Sequence, residues 1–78
     1  LFCFYKSHNT MKAIGELIKE ELEHQERSVS WLARKLACDR SNIYRIFQKQ
    51  SIDTSVLRHI SIILNRNFFL DLSEELDL

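Results

Sequence analysis

The stretch SVSWLARKLACDRSNIYRIFQ, residues 28–48, decides the fold. Ser28 suits an N-cap, where a hydroxyl can accept from a backbone N–H that the first helical turn leaves free. Leu32, Ala33 and Leu36 then recur at the spacing of one helix face, with Trp31 partly covered at its edge. The pattern breaks at Ala37 and Cys38, and Asp39 can cap a second short helix over residues 40–48. That helix turns Ile43, Ile46 and Phe47 inward and Arg40, Ser41, Asn42 and Arg45 outward. The outward set is polar and cationic, and its neighbours must say whether it is a solvated face or a contact surface.

Working outward, residues before 28 read as a helix capped by Thr10 and ending near His24, with Ile14, Leu17, Ile18 and Leu22 inward. Its other face, Glu16, Lys19, Glu20 and Glu23, is solvated. Beyond residue 48, Ser51 begins a fourth helix that buries Ile52, Val56, Leu57, Ile60, Ile63 and Leu64, with Asp53 near the positive helix end. Asn65 suits the left-handed residue that closes a helix where glycine is absent. A short fifth helix over Phe68 to Leu72 closes the core. The expected fold is all-α, a compact orthogonal bundle of about five short helices. Residues 1–10 are a tail and 11–78 the domain, with native sequence expected to start near Met11.

Composition agrees with helices. Among 78 residues there is no proline, glycine occurs once, at Gly15, and 45% are hydrophobic. Such a chain makes one domain and buries only about 60% of its unfolded surface, too little for a deep enzyme cleft. Cys3 and Cys38 have neither metal-ligand spacing nor a disulfide framework, which suits a reducing, cytoplasmic setting. No segment approaches the roughly 18 apolar residues of a membrane span. LFCFY lacks the flanks of a signal peptide. No metal or cofactor is expected, because His8, His24 and His59 stand far apart with no ligand partner at useful spacing. No nucleophile–base pair, carboxylate pair or phosphate loop can be assembled, so the chain is not expected to be an enzyme.

Formal net charge is zero, but it is unevenly spread. Residues 16–26 set five glutamates against Lys19, a net of −4. Residues 27–50 set Arg27, Arg34, Lys35, Arg40, Arg45 and Lys49 against Asp39, a net of +5. The last eight residues return to −4 through Asp71, Glu74, Glu75 and Asp77. A polyanion responds to such local potential more than to the total.

Two helices joined by about three residues have the spacing of a helix-turn-helix. Ala33 supplies the small residue needed at the crossing, Ala37 the lack of bulk at the turn, and Ile43 and Ile46 the branched residues of the second helix. Through residues 28–48, and through SIDTSVLRHISIILN at 51–65, the chain resembles the phage-repressor-like (Xre/Cro) helix-turn-helix family. Two departures stand out. Ala37 replaces the usual turn glycine, and Glu26 or Arg27 stands where glycine often ends the first helix. A left-handed Glu26 would cost about 1 kcal/mol, which favours another path for that loop.

The resemblance implies a lambda-repressor-like fold and a sequence-specific DNA-binding transcriptional regulator, with helix 40–48 in the major groove of double-stranded DNA. It assigns base contacts to Arg40, Ser41, Asn42 and Arg45. Backbone contacts fall to Ser28 and Val29 at the second helix's start and to Gln48, Lys49, Gln50 and Ser51 after the third. One copy reads too few base pairs to select a site, so a homodimer on an inverted repeat is expected, completed in solution or only on DNA. Phe68, Phe69, Leu70 and Leu72 are the candidate dimer residues. The alternative is a protein-interaction module or antitoxin-type partner on the same fold, for which zero net charge is the support.

Overall fold

The only glycine marks a close backbone approach. In the computed structural model, which describes residues 12–76, Gly15 is buried in the first turn of helix α1 (Ile14–His24). Its N–H donates to the Lys49 carbonyl at 3.0 Å. A Cβ there would stand 2.2 Å from the Ile46 carbonyl oxygen and 2.5 Å from that of Phe47. The start of α1 therefore abuts the end of the third helix backbone to backbone, and only hydrogen fits between.

Four further helices follow: α2 (Val29–Leu36), α3 (Arg40–Phe47), α4 (Thr54–Leu64) and α5 (Phe68–Leu76). The described residues form an all-α fold around Ile18, Leu32, Ile43, Ile60 and Phe68, each fully buried. Every helix contributes one of them, so no pair of helices owns the core. The proposed tail, Thr10 and Cys3 lie outside the described residues. The N-cap of α1 is Ala13, without a side-chain cap, so the helix begins later than Thr10 would start it. The fourth helix likewise begins at Thr54 rather than Ser51. Asp53 is its cap, accepting from the Ser55 N–H at 3.3 Å, and Ile52 packs against the core ahead of it. The fifth runs four residues past Leu72, to Leu76.

Three helices end alike. Glu26, Ala37 and Asn65 are left-handed, with φ of 59°, 57° and 56°. After each, the next N–H reaches back five residues: Arg27 to Leu22, Cys38 to Ala33 and Arg66 to Ser61. This closure satisfies carbonyls that the last turn leaves free and usually employs glycine. The loop after α1 thus takes the left-handed path at Glu26, contrary to the expectation from its cost. The reason is the Arg27 bond to Leu22 at 3.1 Å, which returns the chain toward α2 in the fewest residues.

A charged clasp ties the last helix to the first. Arg66 donates to both Asp71 oxygens at 3.1 Å and to Glu21 Oε1 at 2.8 Å. Gln25 Nε2 donates to Glu21 Oε2 at 2.6 Å and to the Leu64 carbonyl at 2.7 Å. Burial works against ionisation of Glu21. The hydrogen bonds from Gln25 and Arg66, with the Arg66 and His24 charges, outweigh it and hold the carboxyl below its usual range. Hydrogen bonding to Asp71 raises Arg66 above its ordinary value, against partial burial. A depressed carboxyl contributes stability that is present above its unfolded value and lost as pH falls through the folded one. The melting temperature should therefore fall as pH drops below about 4.3, and Glu21→Gln should lose less over that range than wild type. Parallel curves for the two proteins would show that the clasp adds nothing.

Candidate nucleic-acid interface

The α2–α3 unit is built as its residues dictate. Ser28 Oγ accepts from the Trp31 N–H at 3.0 Å, capping α2. Left-handed Ala37 then turns the chain within the three residues Ala37–Asp39 between the two helices. Asp39 holds the N-cap position of α3 with extended backbone, although its carboxylate makes no capping bond. Ala33 is buried in α2, and Ile43 is the fully buried anchor of α3. With Ile43 fixed inward, the helical period turns Ser41 and Arg45 to the opposite side.

Arg40, Ser41 and Arg45 are exposed, and Asn42 is half-buried. Asn42 and Arg45 share a groove of about 330 Å³ between α3 and α4, together with Lys49 and His59. Val29 is half-buried against the core, so it offers a contact its backbone rather than its side chain. Lys49, Gln50 and Ser51 are exposed in the loop that leaves α3. None of Arg40, Arg45 or Lys49 is in an ion pair among the described residues, where Lys12, Glu20, Glu21, Arg66 and Asp71 make the pairs.

The opposite flank of α3 has the other sign. Gln48 lies there with Tyr44 and Phe47 in a groove of about 410 Å³ whose far wall is Glu16, Lys19, Glu20 and Glu23 of α1. Tyr44 is 54% exposed, and its ring meets Phe47 edge-on at 6.1 Å. One short helix thus carries a cationic groove on its α4 side and a mainly acidic, aromatic one on its α1 side. The helical period alone makes the α1 glutamates a solvated surface and does not place them beside α3. Nor does the sequence place His59 in the other groove, since its only signal is an exposed position on α4.

Trp31 is half-buried between two cations, with the Arg27 guanidinium 4.6 Å and the Lys35 ammonium 5.8 Å from its ring centre. Cation–aromatic attraction at such distances supports the ring as a local brace along α2. Cys38 is half-buried and packs on the core, as its small size suggests.

The dimer candidates divide. Phe68 is 0% exposed and belongs to the core, so it cannot face a partner. Leu72 is half-buried and packs on that core. Phe69 and Leu70 remain at the surface, at 38% and 54%, and Ile62 of α4 is 71% exposed. Among the described residues no group of His, Cys, Asp or Glu could hold a metal ion. No helix among them is long and apolar enough to cross a membrane. Comparison of the chain with protein-family models, with curated proteins and with solved structures finds no match.

Proposed function

We propose that this chain is a sequence-specific DNA-binding transcriptional regulator with a lambda-repressor-like helix-turn-helix fold. One observation carries the reading: a short helix, anchored by Ile43 across a three-residue turn, leaves Arg40, Ser41 and Arg45 exposed, and neither arginine is in an ion pair among the described residues. In this reading α3 enters the major groove, and Arg40 or Arg45 donates two hydrogen bonds to a guanine edge. The free N–H groups at the start of α2 hold one phosphate, and Lys49 with Gln50 and Ser51 holds another. The acidic wall of α1 repels phosphate and so forces the DNA backbone to follow the α2 start and the α3–α4 loop. Pairing of two copies uses Phe69 and Leu70.

Site selection with the purified chain, followed by substitution, tests this. Arg40→Ala and Arg45→Ala should each change the preferred base at one position, by about 1–3 kcal/mol, whereas Lys49→Ala should weaken all sequences alike. If all three behave identically on selected and scrambled sites, the assignment of reading residues fails.

A second reading has one observation in its favour. The groove of Tyr44 and Phe47 against Glu16, Glu20 and Glu23 is aromatic and mainly acidic, which would suit a basic protein segment better than DNA. On that reading the chain is an interaction module or antitoxin-type partner, and site selection returns no enriched sequence.

A further inference from the structure

The groove between α3 and α4 has the make-up of a small-molecule site. Its volume of about 330 Å³ lies at the lower end of such sites, roughly 300–1,000 Å³. The floor is aliphatic, from Leu36, Ile46, Ile52 and Val56, all half-buried and packed on the core. The rim carries the cations Arg45 and Lys49, with the His59 imidazole beside them. Asp53 is the one carboxylate among the lining residues, and it accepts from the Ser55 N–H, turned to its own helix end. A guanidinium and an ammonium that have no ion-pair partner among the described residues, beside apolar surface, call for an anion that brings an apolar body with it. A bare inorganic anion would leave the floor wet, and a neutral hydrocarbon would leave the charges uncompensated.

We propose that this groove binds a small amphipathic carboxylate, its aliphatic body on Ile46, Ile52 and Val56 and its head group among Arg45, Lys49 and His59. Arg45 and Lys49 are also the proposed base and phosphate contacts, so the acid releases DNA. That second part rests on the function proposed above, whereas the binding itself does not.

Amide shifts of the whole chain, titrated separately with octanoate, octanol and acetate, provide the test. Octanoate should give saturable shifts at Ile46, Lys49, Ile52 and Val56, with octanol and acetate about tenfold weaker or more. His59→Glu, at an exposed position, should keep the wild-type melting curve and weaken octanoate by about tenfold or more. Equal binding of octanol, unchanged octanoate affinity in His59→Glu, or octanoate shifts centred on Ile62 and Leu70 would each overturn the site. DNA anisotropy reads the second part. Octanoate should displace a selected site from wild type at concentrations that saturate the shifts, and DNA that stays bound there overturns competition. A chain that binds octanoate but never DNA sinks the regulator reading and leaves the groove standing.

Discussion

Gly15→Ala should destabilise the domain by about 3 kcal/mol or more, although alanine is the better helix former. Two effects oppose. Within an α-helix, alanine is favoured over glycine by about 1 kcal/mol. Against that, the new Cβ would lie 2.2 Å from the Ile46 carbonyl oxygen and 2.7 Å from the Phe47 carbonyl carbon. These are backbone atoms, and no rotamer change can move them aside. Helix α1 must back away from the end of α3, which also loses the Gly15 N–H bond to Lys49. Overpacking of this kind costs about 1–3 kcal/mol even where side chains can yield. In so small a domain each kcal/mol lowers the melting temperature by about 4–8 °C, so a fall of about 12 °C or more is expected by circular dichroism. A variant that melts at or above wild type would mean that α1 does not lie against the end of α3.

The same contact marks where the sequence stopped being legible. Residues 28–48 could be read because their signals are local: Ser28 caps three residues ahead, and Leu32, Ala33 and Ile43 sit where the helical period buries them. Asn65 is legible as a left-handed helix end for the same reason, since asparagine tolerates that backbone on its own, and its φ is 56°. The start of α1 could not be read. It is set by a hydrogen bond to Lys49, 34 residues away along the chain, and Thr10 offered a plausible local cap instead. Glu26 failed in the other direction, because its local cost was visible and the closure that repays it was not. The Arg66 clasp joins Glu21 across 45 residues, and no spacing rule pairs such positions. Phe68 reads as surplus apolar surface when its helix is considered alone; it is the first residue of α5, and the core shared by the other helices buries its ring completely. The exposure of Arg40, Ser41 and Arg45 on α3 was legible from the helical period, whereas Asn42, expected outward, is half-buried. The opposite charges on the two flanks depend on which helices pack beside α3. That is a tertiary fact.

DNA affinity should fall steeply with salt, by about a thousandfold between 50 and 200 mM. In the proposed complex each chain would offer the N-terminus of α2 at Ser28 and Val29, the Lys49 ammonium, and the loop at Gln50 and Ser51, about three phosphate contacts. A dimer then neutralises about six, and with a slope of about −0.9 per phosphate the log–log plot has a slope near −5. Zero net charge does not soften this, because counterion release depends on contacts made rather than on the total carried. In the proposed complex the acidic α1 wall reduces the count instead, because Glu16, Glu20 and Glu23 line one flank of α3 and would repel phosphate there. Replacing them together by glutamine should therefore strengthen binding at low salt more than at high salt, the signature of long-range repulsion that salt screens. Stoichiometry belongs to the same measurement. A slope near half the expected value, with one chain on a site that lacks a dyad, would mean that Phe69 and Leu70 pair nothing. Affinity that ignores salt would mean that Arg40, Arg45 and Lys49 face no phosphate polymer at all, and the acidic aromatic groove would become the better guide to what this chain binds.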